Sequence, residues 1–123
     1  MGDLLIEATK VTPLIDFKAN GKLYVEGKVL PEDPIKFFKP VFDWLQEFHT
    51  TNTIVDVKLE YLNTSSSKQV FEMLRILDKN HGSGEIHINW FYEEGDYDIL
   101  ESGKYYESMI QMPFEYIEYA ETD

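Results

Sequence analysis

Cysteine is absent from the 123 residues. That removes disulfides, thiolate nucleophiles and cysteine-ligated zinc together. Basic residues are scarce: eleven Lys and Arg stand against twenty-three Asp and Glu, for a formal net charge of −12. Such a surface repels nucleic-acid phosphates and anionic lipid, so neither nucleic acid nor a membrane is an expected partner. It suits a protein partner with a basic docking surface. No apolar run approaches the ~18 residues of a membrane span, and MGDLLIEATK lacks the basic start and long apolar stretch of a secretory signal. Myristoylation fails as well, because Ile6 stands where Ser or Thr is needed. The expected location is the cytoplasm.

Catalytic signatures are also missing. His49, His81 and His87 are scattered over a predicted helix C-terminus, a turn and a strand, and form no zinc-binding pair. Gly82 and Gly84 lack the Lys-Ser/Thr that completes a phosphate-binding loop, and no Gly-x-Ser-x-Gly elbow occurs. Glu93, Glu94, Asp96, Asp98 and Glu101 offer hard oxygen ligands, but their spacing does not make a calcium loop. They read more simply as a solvated, acidic helix start favoured by the helix dipole. No catalytic residue, metal or cofactor is expected. A metal-assisted hydrolase using Asp96, Asp98 and Glu101 is the weakest of three functional readings.

What the chain does have is apolar bulk: 43% of it is hydrophobic and 15% aromatic, enough for a packed core despite the charge. At this length it reads as a single domain over residues 1–123, with no repeat, linker or low-complexity segment. Leu14 to Val29 reads as a hairpin turning at Asn20-Gly21, both of which tolerate positive φ. Leu4 to Ala8 is a short strand or an ordered arm. A helix follows, with Asp33 as N-cap and Pro34 at its first position. Phe37, Phe38, Val41, Phe42, Leu45 and Phe48 recur along it at helical spacing, with Trp44 at the flank, and Pro40 should kink the helix or split off its first turn.

Thr53 to Leu62 is a strand whose Val55, Val57, Leu59 and Tyr61 alternate with polar residues. The next helix carries Val70, Phe71, Leu74 and Leu77 inward and Lys68, Glu72, Arg75 and Lys79 outward. It stops near Asn80-His81-Gly82-Ser83-Gly84, where a glycine suits the left-handed C-terminal cap. Glu85 to Tyr92 is a strand, so a right-handed parallel crossover joins it to Thr53–Leu62. Asp96 to Met109 is a third helix and Phe114 to Tyr119 a last strand. The sum is a small α/β domain, one mixed sheet with helices packed against it. Among the aromatics of Trp90-Phe91-Tyr92 and Tyr105-Tyr106, most are expected in the core and some at an interface.

The strand-to-helix turn carries four consecutive hydroxyl residues, Thr64 to Ser67, directly after Asn63. Asn63, Thr64 or Ser65 would each serve as an N-cap. Capping explains one hydroxyl and leaves three, because Ser and Thr compete with helical hydrogen bonding in the first turns. A turn between a parallel strand and a helix lies at the carboxyl edge of the sheet, where ligands collect in open α/β folds. The unpaired amides and positive dipole end there suit a phosphate.

Three ordered blocks point the same way. LEYLNTSSSKQVFEML resembles the phosphoacceptor segment of the SiaC-type regulatory phosphoproteins, the bacterial biofilm-regulator family, with its Leu-Asn-Thr-Ser-Ser motif. VEGKVLPEDPIKFFKPVFDWLQEF resembles the family's Pro-Glu segment and Phe-Phe…Pro-Val…Trp-Leu helix. INWFYEEGDYDILESGKYYE resembles its aromatic strand and acidic Asp-x-Asp…Glu-x-Gly helix. The chain departs from the pattern at Asp33, where many members carry Asn, and at Lys104, where a second acidic residue is usual.

The resemblance implies an architecture similar to the STAS domains of anti-sigma-factor antagonists, and a non-enzymatic switch. Thr64 would be the phosphoacceptor, with Asn63, Ser65 and Ser66 as motif neighbours or secondary acceptors. It implies a protein kinase that adds the phosphate, a PP2C-type phosphatase that removes it, and an unphosphorylated form that activates a diguanylate cyclase to raise cyclic di-GMP. Glu32, Asp33, Asp96, Asp98 and Glu101 form the candidate partner surface. The alternative is an anti-sigma-factor-antagonist-like module in transcription control.

Overall fold

The computed structural model describes residues 1–80 and 84–121. His81 and Gly82 lie outside the described residues, and Gly84, the other glycine offered as the cap of the second helix, does not take positive φ. Among those described, the patterns give six strands and three helices: β1 (Leu4–Ile6), β2 (Leu14–Phe17), β3 (Lys22–Val29), α1 (Pro34–Glu47), β4 (Asn52–Leu62), α2 (Thr64–Asn80), β5 (Glu85–Glu93), α3 (Tyr97–Met109) and β6 (Phe114–Tyr119).

The strands form one sheet in the order β1-β2-β3-β4-β5-β6. β1 and β2 pair antiparallel, as do β2 and β3, whereas β3 to β6 are mutually parallel. The sheet is therefore mixed, as expected. Each parallel connection steps to the next strand in the same direction, and right-handed crossovers then put all three helices on one face. Burial bears this out. Val55, Val57 and Leu59 of β4 and Ile86, Ile88 and Trp90 of β5 are buried under the helices, while Ile54, His87 and Glu85 on the opposite face are exposed.

The hairpin turns as expected, but by a different geometry. Gly21 alone takes positive φ, at 107°, while Asn20 does not. The Lys18 N–H donates to Lys22 O at 2.9 Å and the Gly21 N–H to Lys18 O at 3.0 Å. That is a tight turn closed by a left-handed glycine bulge rather than a two-residue Asn-Gly turn. A side chain at Gly21 would collide with the Asn52 carbonyl, since its Cβ would lie 2.3 Å from that oxygen.

Asp33 caps α1, its carboxylate accepting the Lys36 N–H at 3.0 Å, and Pro34 opens the helix. α1 runs on through Pro40 instead of splitting there. Pro40 removes the bond to the Lys36 carbonyl, but both residues are exposed, so water can serve that carbonyl. Trp44 stacks on Phe48 at 4.8 Å between ring centres, and its indole N–H reaches Gly2 O at 2.8 Å.

In β4 the expected alternation breaks at its end. Gly27 pairs with Leu59 but Lys28 pairs with Tyr61, leaving Glu60 as an extra residue. This bulge reverses the facing of Tyr61 and Leu62. Tyr61 is 52% exposed rather than inward, and Leu62 turns toward the helix layer opposite Val29. α2 buries more than the expected set: Met73 and Ile76 join Val70, Leu74 and Leu77, because the helix sits centrally with α1 on one side and α3 on the other. Phe71 is only half-buried, at the α3 side.

α3 is seated on Trp90. The indole is fully buried, and its N–H donates to Ile99 O at 2.8 Å. Gly103 crosses directly over the ring, where a Cβ would lie 2.7 Å from Trp90 Cδ1 and Nε1. Asp96 caps this helix through the Ile99 N–H at 3.2 Å. Replacing Gly103 with Ala gains about 1 kcal/mol of helix propensity but incurs an overpacking cost of roughly 1–3 kcal/mol. With the indole held in place by its hydrogen bond, the clash wins. Gly103→Ala should lower stability in urea denaturation, and Gly103→Val should lower it further; an Ala variant more stable than the parent would show that the ring can move aside.

Candidate functional site

β3, β4 and β5 are parallel, so their carboxyl ends and the helix starts beyond them lie along one edge of the sheet. Asp33 after β3, Asn63 after β4 and Asp96 after β5 are the three N-caps, in that spatial order. The edge thus gathers the positive ends of three helix dipoles. Glu32 and Asp33 lie on one side of Thr64, and Asp96, Asp98 and Glu101 on the other. The sequence-predicted residues share this edge although they are spread along the chain from Glu32 to Glu101.

The four hydroxyls separate by their surroundings. Asn63 is the N-cap: its side-chain oxygen accepts the Ser66 N–H at 2.9 Å and the Ser65 hydroxyl at 3.2 Å, and its carbonyl accepts the Ser67 N–H at 2.9 Å. Ser66 is fully buried and its hydroxyl has no partner among the described residues. Its burial removes it from the accessible acceptors, where the sequence motif alone had included it. Ser67 Oγ lies 2.6 Å from the Tyr106 hydroxyl, which also donates to Ser67 O at 2.9 Å. Thr64, in the first position of α2, and Ser65 are exposed. The Thr64 hydroxyl bonds to no group among the described residues.

The division of labour has a physical reason. An N-cap needs a side-chain acceptor on an extended residue one position before the helix. Asn63 meets that, so Thr64 starts the helix with its hydroxyl free. Ser66 lies on the buried face of α2 with Val70, and Ser67 lies toward α3. The Ser67–Tyr106 bridge ties the first turn of α2 to α3. Tyr106 is 1% exposed and its ring packs edge-on to Trp90 at 5.7 Å. Burial pushes its phenol pKa up, with the Ser67 bond acting in opposition.

Sequence reading did not anticipate the Ser67–Tyr106 bridge or the Gly103–Trp90 contact. A glycine inside a helical pattern was the available signal for the second; no local signal existed for the first. Of the two paired tyrosines, Tyr106 is core and Tyr105 is 62% exposed. Asp96 is taken up by capping, while Asp98 and Glu101 are exposed. No group of three His, Asp or Glu gathers as a metal cage among the described residues, and no helix among them is long and apolar enough to cross a membrane.

The turn thus presents a free hydroxyl at a helix start, with exposed acidic residues on either side of it along the edge. The family model described as SiaC family regulatory phosphoprotein matches residues 6–119. An uncharacterized protein of Pseudomonas aeruginosa strain UCBPP-PA14 is 32% identical over 120 residues, covering 93% of this chain and 94% of that one. The crystal structure of apo-SiaC from Pseudomonas aeruginosa superposes with a TM-score of 0.85 at 29% identity, covering 95% of this chain and 99% of that one. A chain from the crystal structure of the diguanylate cyclase SiaD in complex with its activator SiaC, from the same organism, matches with a TM-score of 0.85 at 28% identity, over 95% of this chain and 100% of that one. The chain belongs to the SiaC family of regulatory phosphoproteins, and its role is regulatory, not enzymatic.

The capping assignment is open to a direct check. Asn63→Ala should cost about 1 kcal/mol in urea denaturation, whereas Thr64→Ala should stay within about 0.5 kcal/mol of the parent. The reverse order would make Thr64 the structural residue.

Proposed function

We propose that this chain is a partner-switching regulator whose Thr64 is reversibly phosphorylated. A protein kinase adds the phosphate and a PP2C-type phosphatase removes it. The unphosphorylated form binds and activates a diguanylate cyclase in the cytoplasm, raising cyclic di-GMP, as SiaC of Pseudomonas aeruginosa is the activator of SiaD. The observation that carries this reading is the separation of roles at the turn. Asn63 caps the helix, Ser66 and Ser67 face inward or bridge to α3, and Thr64 is left exposed at the centre of the edge.

Phosphate adds about −1.5 to −2 charges at pH 7. At Thr64 the helix start tolerates that charge, so the fold is retained while the docking edge changes. Glu32, Asp33, Asp96, Asp98 and Glu101 are the candidate partner surface, where the added charge weakens docking by repelling acidic groups of the partner, and Asp33 and Asp96 also cap their helices. A carboxylate substitute carries only one charge and is a weaker mimic.

Incubation with ATP and the kinase of the same bacterium, read by intact mass and fragmentation, should add one phosphate, mapped to Thr64. Thr64→Ala should bind the cyclase before and after kinase treatment, and phosphorylated parent about a hundredfold more weakly, a loss of about 3 kcal/mol. Phosphate on Ser65 alone, or on no residue of the turn, would remove Thr64 from the switch.

A further inference from the structure

Thr64 and Ser67 are three residues apart in the first turn of α2, so they stand on the same side of that helix. Both line an open groove of about 630 Å³ between α2 and α3. Thr64 is exposed and Ser67 half-buried, so solvent reaches both residues. The other two hydroxyls differ. Ser66 is fully buried, and Ser65 donates to Asn63 Oδ1 at 3.2 Å. A kinase that brings ATP to Thr64 therefore brings it within one turn of a second reachable hydroxyl, that of Ser67. Position and exposure do not separate the pair.

The protons at Tyr106 do. A phenol carries a single proton, and that of Tyr106 goes to Ser67 O at 2.9 Å. The 2.6 Å contact between Tyr106 Oη and Ser67 Oγ must then use the proton of the serine, with the phenol oxygen accepting. Burial raises the phenol pKa, so the group keeps its proton at neutral pH. Ser67 is thus bonded twice to one side chain, through its carbonyl and through its hydroxyl. Packing does not require this hydroxyl. The ring contacts with Trp90 and Phe71, at 5.7 and 5.9 Å between ring centres, would be made equally by phenylalanine. The Thr64 hydroxyl, one turn away, has no such bond.

We infer that Tyr106 is a specificity-determining residue of the switch: by engaging the Ser67 hydroxyl it withholds that oxygen from the kinase and leaves Thr64 as the acceptor. Resting on the proposed switch, this role accounts for a single acceptor within a run of hydroxyls. In transfer from ATP the hydroxyl oxygen attacks the γ-phosphorus, the bond from that phosphorus to the β,γ-bridging oxygen breaks, and ADP leaves. The hydroxyl proton passes to a basic group of the kinase. Thr64 meets both demands as it stands. Ser67 must first take its proton from Tyr106 and turn its oxygen away from the phenol. One hydrogen bond of this kind corresponds to about a tenfold handicap.

The test is labelling of the full chain and its variants with ATP and the kinase of the same bacterium, read by site-resolved fragmentation. The parent should carry phosphate on Thr64, and Thr64→Ala should resist labelling at Ser67. Tyr106→Phe keeps the buried ring, and its phosphate on Ser67 should rise about tenfold or more over the parent. Thr64→Ala/Tyr106→Phe should be labelled on Ser67, whereas Tyr105→Phe, at the exposed neighbour, should label as the parent does. A general loosening of the turn would instead raise Ser65 together with Ser67, so a gain confined to Ser67 separates selection from structure. Phosphate on Ser67 of Thr64→Ala at the rate of the double variant, or none on Ser67 of the double variant, overturns the role of Tyr106 and leaves the Thr64 switch standing. A parent without phosphate on Thr64 overturns the switch itself, and the role of Tyr106 with it.

Discussion

Parallel pairing of β3, β4, β5 and β6 is the constraint on which the rest of the architecture depends. Strands that run the same way cannot be joined by tight turns, so each pair needs a helical crossover. With one handedness and one direction of travel, the three crossovers stack on one face of the sheet. Their starting points then align along a single edge. Asp33, Asn63 and Asp96 are caps of three separate helices, yet the sheet brings them into one row. An edge built this way is acidic in sequence and positive in backbone dipole.

The layer above the sheet holds that edge in position. Trp90 rises from β5 into the core, Gly103 of α3 lies flat on its ring, and Tyr106 packs edge-on beside it. From there the Tyr106 hydroxyl reaches Ser67 in the first turn of α2. α3 and the hydroxyl-rich turn are thus one mechanical unit. A charge added at Thr64, as proposed, would therefore alter a surface rather than release an element.

Much of the fold is legible in the chain itself. Alternation in Thr53–Leu62 and Glu85–Tyr92, the Asp33-Pro34 helix start and the Asn-Thr-Ser-Ser turn each carry their signal within a few residues, because strand facing and helix capping are local physics. Three features escape such a reading. The bulge at Glu60 reverses Tyr61 and Leu62, and an extra residue of this kind shows only in the pairing of two strands, not in the alternation of one. Pro40 sits inside a continuous helix because the carbonyl it orphans is exposed. Ser66 is buried while Ser65, its neighbour, is not, because Ser66 falls on the face of α2 that packs into the core.

By itself the sequence determined the elements, their order, the mixed sheet and the family, since each follows from short-range pattern or from ordered motif blocks. It also determined the net charge of −12. Only the tertiary structure decided which of four adjacent hydroxyls is free and which of two adjacent tyrosines is core. Those outcomes depend on contacts between residues far apart in the chain, such as Ser67 with Tyr106, and no local pattern encodes a contact at that separation.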